Sequence, residues 1–397
     1  MIDVKDALSI INSHLGNFGT ESIPLSESIG RILKEEWHTD RALPPYDRVT
    51  MDGIAIAYSD FEKGQRSFEI AGVAAAGDSQ KEKTKAGTCL EVMTGAIMPK
   101  ACDSVIRYED LVVQDGQATI QIDEIIEKQN VHFHGSDRSL GELVTKENTL
   151  ISSAEIGLGA SIGKSMVKVA KLPTAIVIST GNELVSINQK PMVHQIRKSN
   201  IYRISTVLNA LGVSCDAAHL DDDKAEIKAK MRGYLEAYDI VLLSGGVSKG
   251  KFDFLPEVLN ELGAEKLFHK IAQRPGKPFW FGRRDQCTIF AFPGNPVSSF
   301  VCMHRYFVEW LGDSLGVSLR KPLYAKLTDE VHFKPDLTYF LEVKISSNKE
   351  GVLLATPQKG NGSGDLANLV EADAIIELPR GRNLYEKGEV HPIYFYR

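Results

Sequence analysis

A chain of 397 residues exceeds a usual single core, so two to four domains are expected, and 43% hydrophobic with 25% charged residues is the make-up of an ordinary soluble globular protein. The net charge of −6 argues against a nucleic-acid carrier, and no apolar run approaches the roughly 18 residues of a membrane-spanning helix. The opening MIDVKDALSI carries acids where a secretion signal would carry lysines, and five cysteines without CxxC spacing predict neither a disulfide framework nor a zinc site, which points to the reducing cytoplasm.

In chain order, residues 3 to 15 have the periodicity of an amphipathic helix with Asp3 near its cap. Pro44 and Pro45 then force an extended entry, and Asp52-Gly53 is a turn dipeptide before the apolar run from Ile54. Turn chemistry alone would explain Asp52. Short β segments follow at 67–71, 88–93, 104–108 and 118–122, spaced by Gly, Pro and Asp as in a small barrel or sandwich. Among them, Thr94-Gly-Ala96 could present a hydroxyl and two amides to an anion. His132-Phe-His134 places two imidazoles on one strand face, where surface polar pairing is commoner than a metal site. Gly157-Leu-Gly159 lies in a helical context.

From about residue 173 the pattern becomes βαβα, which implies a parallel sheet with ligands at the carboxyl ends of its strands. A strand over 174–179 ends in Thr180-Gly-Asn-Glu183, and a helix over 200–211 is capped by Ser199 or Asn200 and stopped by Gly212. A strand over 213–217 leads to Asp221-Asp-Asp223, whose plainer reading is complementarity to the next helix's dipole. The run Ile240 to Leu243 reads as a strand buried on both faces. It leads through Ser244, Gly245, Gly246, Val247 and Ser248 to a helix over 254–262.

Strand, glycine loop and helix in that order make a phosphate-binding corner. Phe252 stands where an NTP-hydrolysing P-loop needs a Ser or Thr hydroxyl for Mg²⁺, and a tight turn needing glycine for packing is the bland alternative. Residues 266–272 are extended, Arg274-Pro-Gly-Lys277-Pro follows, and a strand over 288–292 passes through Pro293-Gly-Asn295-Pro into a helix ending near Leu311. The strand ends thus collect acids (Glu183, Asp222, Asp253), cations (Lys270, Arg274, Lys277) and glycine-rich backbone. Cations with amides suit a phosphorylated anion, and acids nearby suit a bridging Mg²⁺. Residues 320 to 397 read as a separate small β domain, with strands at 323–327, 339–345, 352–356, 374–378 and 390–396 and the loop 358–365 among them.

Seven stretches in order resemble the MoeA family, the molybdopterin molybdenumtransferases, and the E domain of gephyrin-like proteins. They are Pro44-Pro-Tyr-Asp with Met51-Asp-Gly53; Thr94-Gly-Ala96 with Cys102-Asp-Ser-Val105; Ser179-Thr-Gly-Asn-Glu-Leu184; Ser199-Asn200; Ser244-Gly-Gly-Val-Ser248 with Phe252-Asp253; Arg274-Pro-Gly-Lys-Pro278; and Pro293-Gly-Asn-Pro-Val-Ser298. The resemblance implies a multidomain α/β protein in four parts. These are an N-terminal helical region (1–45 plus 136–172), an inserted β domain (46–135), a three-layer, MogA-like α/β molybdopterin-binding domain (173–315) and a C-terminal β-barrel-like domain (320–397).

It implies insertion of molybdenum from molybdate into adenylylated molybdopterin with release of AMP, assisted by Mg²⁺, in a homodimer, with molybdopterin adenylyltransferase as a candidate partner. By matching position, Asp52, Thr94, Glu183 and Asp253 would be catalytic. Glu183, Asp222 and Asp253 would hold the metal. Asp137, Ser244, Gly245, Gly246, Ser248, Lys270, Arg274, Lys277, Pro293 and Asn295 would bind substrate. Arg274 replaces a lysine, which keeps charge and changes donor geometry. Leu337 and Glu342 stand where many relatives carry arginine, Ala367-Asn368 where Ser-Ser is common, and His132 where an arginine is usual. Molybdopterin adenylyltransferase, whose related domain reads Gly-Gly-Thr-Gly in place of Gly245-Gly-Val-Ser248, and a non-catalytic molybdopterin-binding scaffold are the alternatives.

Overall fold

The apolar run Ile240–Ser244 is the central strand of a six-stranded sheet, buried at every position. The computed structural model describes residues 1–83, 85–247, 253–319 and 322–397. They divide into two compact units, one of residues 35–147 and 153–165, the other of residues 1–34, 148–152 and 166–397. Among the described residues no helix is long and apolar enough to cross a membrane.

The first unit is built on a mixed sheet in the order Ser104–Arg107, Gly53–Ile56, Thr88–Val92, Ser67–Ala74, Gln117–Ile120 and Leu111–Gln114. Strand alternation splits its core: Ile54 and Ile56 pack with Phe61, Phe68 and Ile106 on one face, while Ala55 packs with Val49, Val92 and Met98 on the other. The expected strands fall where the sequence places them, but among the described residues they form one open sheet and not the small barrel or sandwich expected, since both faces of that one sheet are packed.

In the second unit we label the strands β1 (Ala175–Thr180), β2 (Cys215–Leu220), β3 (Ile240–Ser244), β4 (Glu265–His269), β5 (Trp280–Arg284) and β6 (Cys287–Phe292). Their order is β2-β1-β3-β6-β5-β4. The first four are parallel; β5 and β4 run antiparallel to their neighbours. An all-parallel sheet was therefore too simple an expectation: the segment 265–284 folds back as an antiparallel edge. Helices α1 (Asn200–Ala210), α2 (Lys224–Ala237), α3 (Leu255–Glu261), α4 (Pro296–Cys302) and α5 (Val308–Leu315) cover the sheet. Val177 and Leu242 face α1, α4 and α5 with an aromatic cluster of Phe279, Phe290, Tyr306, Phe307 and Trp310, whereas Ile178 and Leu243 face α2 and α3. Each such side chain, fully buried, contributes roughly 1.5–3 kcal/mol. The result is the expected three-layer α/β arrangement.

The chain does not run in one α-helix from 296 to 315. Met303–Phe307 is a π-helical turn, the kind of irregularity that gathers at functional sites. Beyond it, β7 (Leu323–Leu327), β8 (Thr338–Ser347), β9 (Leu353–Pro357), β10 (Ala374–Leu378) and β11 (Val390–Phe395) close into a barrel in the order β8-β9-β7-β11-β10, with β10 pairing back on β8. A short helix α6 (Leu366–Glu371), not foreseen in the sequence, follows the glycine loop. Arg305 ties the π turn to the barrel: its guanidinium donates to Glu309 at 2.6 Å and to Glu377 of β10 at 2.9 Å.

Candidate active site

The sheet order makes β1 and β3 a topological switch point, since the chain leaves β1 for β2 on one side and returns to β3 on the other. A crevice opens at the carboxyl ends of such strands. Here it is a cavity of about 450 Å³, lined by Thr180, Gly181 and Glu183 after β1, Asp222 after β2, Ser244 to Val247 and Asp253 after β3, and Pro293 to Pro296 after β6. Gly245 and Gly246 sit at φ +103° and +68°, and a Cβ on either would fall 2.8 Å from Thr180 Oγ1 or 2.7 Å from Leu255 Cδ1. Both the conformation and the space demand glycine. Thr180 beneath them is 5% exposed, and its hydroxyl is buried with no hydrogen-bond partner among the described residues. Ser248, expected in this loop, lies outside the described residues, as does Phe252 of the P-loop comparison.

Ser199 is the N-cap of α1 but makes no capping bond with its side chain, and Asn200 is the first residue of the helix itself. The Asn200 side-chain amide donates to Ser244 Oγ at 2.8 Å and to the Gly294 carbonyl at 2.7 Å, stitching β3 to the Pro-Gly-Asn-Pro turn. One helical turn on, Arg203 donates to the Pro296 carbonyl at 2.8 Å and Ser299 Oγ at 2.6 Å. Burial without an acid partner pushes its guanidinium down to about 10. The acid run divides its work. Asp223 caps α2 by accepting from Glu226 N at 2.8 Å, Asp221 lies 3.5 Å from His219 Nε2, and Asp222 exchanges backbone-to-side-chain bonds with Asn182 at the cavity wall.

A second cavity, of about 620 Å³, shares Pro278 and Asn295 with the first. It is lined by Arg274, Lys277, Ser298, Leu337, Tyr339, Glu342 and the loop Gly360–Ser363. The cationic turn stands on a buried network. Tyr306, from the π turn, donates to Gln273 Oε1, and Gln273 Nε2 donates to the Pro275 carbonyl at 2.9 Å. Gly276, at φ +96°, packs so closely that a Cβ would lie 2.5 Å from Gln273 Nε2 and 2.8 Å from Cys302 Sγ. Asn295 Nδ2 donates to Ser363 Oγ at 2.8 Å, joining the turn after β6 to the barrel's glycine loop. Lys270, by contrast, lines neither cavity.

The remaining expected residues lie in the other unit. Asp52 accepts from Thr94 N at 2.6 Å and Thr94 Oγ1 at 2.7 Å, and those two bonds hold its carboxyl below the usual carboxylate range. Asp137 meets His132 Nε2 at 2.8 Å, and Arg48 donates to that imidazole's Nδ1 at 3.1 Å. His132 is therefore paired with an acid and a guanidinium, and His134 offers its backbone N–H to Asp47, which suits polar pairing better than a metal site.

Among the described residues no three His, Cys, Asp or Glu stand close enough to hold a metal unaided. Glu183, Asp222 and Asp253 instead share one cavity wall. That fits a hard cation which keeps its waters and takes one or two carboxylates plus substrate phosphates. Sequence reasoning did not single out Arg203, Gln273, Tyr306 or Ser363. All of them act on other residues' positions, and only the fold brings them to the site.

Comparison with known proteins bears on the whole chain. Residues 2–163 match the family described as MoeA N-terminal region (domain I and II), residues 176–313 a probable molybdopterin binding domain, and residues 324–396 MoeA C-terminal region (domain IV). The chain is 41% identical to a molybdopterin molybdenumtransferase of Synechocystis sp., over 99% of this chain and 100% of that one. It is 31% identical to a protein of the same name from Haemophilus influenzae, over 93% and 92% of the two chains. A crystal structure of a molybdopterin biosynthesis MoeA protein from Pyrococcus horikoshii superposes with a TM-score of 0.84 at 28% identity, covering 100% of this chain and 99% of that one. With a switch-point cavity, a cationic turn and a closed C-terminal barrel all carried by segments that match in family order, this chain belongs to the MoeA family.

Proposed function

We propose that this chain is a molybdopterin molybdenumtransferase, which inserts molybdenum from molybdate into adenylylated molybdopterin and releases AMP. The observation that carries the reading is the adjacency of two cavities sharing Pro278 and Asn295, one walled by glycine backbone and acids, the other by Arg274 and Lys277. The first suits the pyrophosphate-bearing pterin. Backbone amides after β3 meet the phosphate oxygens, on a loop whose Gly245 and Gly246 pack closely over Thr180. The second suits a tetrahedral dianion, which two cations can hold beside another polyanion.

Glu183, Asp222 and Asp253 would hold Mg²⁺ against the pyrophosphate, where the ion would offset charge on the departing AMP. The chain's own part is orientation: Asn200 sets Ser244 against the Pro293–Pro296 turn, and Gln273 aims the cationic turn. Asp52 with Thr94, and Asp137, belong to this reading as groups that meet substrate. With them come the four-part domain division, a homodimer, molybdopterin adenylyltransferase as the protein that hands over the substrate, and a cytoplasmic setting. Release of AMP from adenylylated molybdopterin, followed with and without molybdate and Mg²⁺, tests the proposal. Release that depends on both is expected; binding without release would count against an enzyme.

A further inference from the structure

The cation-lined cavity also contains a carboxyl. Glu342 lies on β8, 8% exposed, two residues from Phe340, whose ring packs into the α/β core. Alternation along the strand puts Glu342 on that same outer face of the barrel, while Leu341 and Val343 point into the barrel core. It therefore faces the cavity that Arg274 and Lys277 line. Neither cation forms an ion pair with it among the described residues. Tyr339 stands within electrostatic reach of both Glu342 and Arg274, Tyr396 looks on from the C-terminal segment, and Asp365 from the start of α6. Burial, helped by the Asp365 charge and opposed by a hydrogen bond from the residue's own backbone N–H, holds the Glu342 carboxyl above the usual range, so it keeps its proton to higher pH than an exposed glutamate.

Resting on the molybdate reading above, we propose that Glu342 is a specificity residue of this cavity, which donates its carboxylic proton to a tetrahedral dianion held by Arg274 and Lys277 and opposes that dianion once ionised. Molybdate and sulfate carry no proton at neutral pH and can only accept hydrogen bonds. They need the neutral acid, as in other sites where an apolar setting keeps a carboxylic acid protonated so that it can donate. Hydrogenphosphate brings its own proton and can donate to the ionised carboxylate. At a pH where Glu342 is ionised in the free protein, the residue thus couples capture of molybdate to uptake of one proton, and it sets against each other two oxyanions of like shape.

Calorimetric titration of the full-length protein with sodium molybdate, between pH 6 and 8 in two buffers of different ionisation enthalpy, reads the coupling directly. Over the pH range in which Glu342 is ionised in the free protein, the wild type is expected to take up about one proton per molybdate and to lose about tenfold in affinity per pH unit, with both effects fading at lower pH where the free carboxyl already holds its proton. Glu342→Gln should bind molybdate without proton uptake and with a flat pH dependence, and hydrogenphosphate should show the smaller pH dependence in the wild type. Binding of molybdate by the wild type with neither proton uptake nor loss of affinity at any pH through the range, or the same pH dependence in Glu342→Gln, would overturn the inference. The wild-type proton count decides even if the variant fails to fold. Molybdate-dependent AMP release alongside a flat profile would sink the role of Glu342 alone; no binding and no stimulated release would sink the reading beneath it.

Discussion

Asp253 reaches the switch-point cavity from the loop after β3 and shares its wall with Glu183 and Asp222. Removing its charge while keeping its shape separates chemistry from fold. Asp253→Asn should lower the rate of AMP release by about a hundredfold or more, as loss of one preorganised electrostatic group typically does, with an unchanged circular-dichroism spectrum. Unchanged turnover would exclude a role for that carboxylate. Asp52 offers a pH test. The Thr94 amide and hydroxyl favour its ionised form, so the pairing is fully present above the ordinary carboxylate range and is lost as pH falls through the depressed folded value. Thr94→Val deletes the hydroxyl donor and keeps the amide, so the Asp52 titration followed by carboxyl NMR should move part of the way back up. A titration that does not move would show the hydroxyl to be idle. Both residues were legible in the sequence through the ordered stretches that carry the family resemblance, since turn chemistry alone would explain Asp52. Arg203 and Gln273 were not, since a lone arginine in a helix and a glutamine before a proline turn carry no signal until the fold gives them partners.

At the level of elements, the apolar runs ending in glycine gave away β1, β3 and β6, because strands buried on both faces have no polar alternation to hide them. The antiparallel strand β5, next to the edge strand β4, escaped notice, having Gly282, Arg283 and Arg284 in place of a longer apolar run. The π turn escaped for a different reason. Met303 to Phe307 are all buried, the polar His304 and Arg305 included, so no alternation of buried and exposed positions marks the change of pitch. That turn aims Tyr306 at Gln273, and so supports Arg274 and Lys277 from behind. Tyr306→Phe should leave the Gln273 carbonyl buried and unsatisfied, at a cost of about 1–3 kcal/mol in unfolding free energy. It should also raise the KM for molybdate several-fold with a smaller effect on kcat. A KM at the wild-type value would mean that the turn holds its shape without this bond.

For the whole molecule, the site residues fall in two units, with Asp52, Thr94 and Asp137 in one and Glu183, Asp222, Asp253, Arg274 and Lys277 in the other. The homodimer proposed above predicts twice the chain mass in light scattering at concentrations where the enzyme turns over; a stable, active monomer would refute it. The strand pair Gln273–Arg274 has a wider bearing. It belongs by sequence to the α/β domain, yet it ladders in parallel onto Thr338 and Tyr339 of β8 and so forms the sixth strand of the barrel's sheet. The cationic turn is thereby a shared hinge pin: the barrel cannot detach without tearing out the segment that carries Arg274. An oxyanion clasped at that turn would slow the exchange of barrel amides with solvent, far from any atom it touches, and a barrel loosened by mutation would drop its anion before it lost its fold.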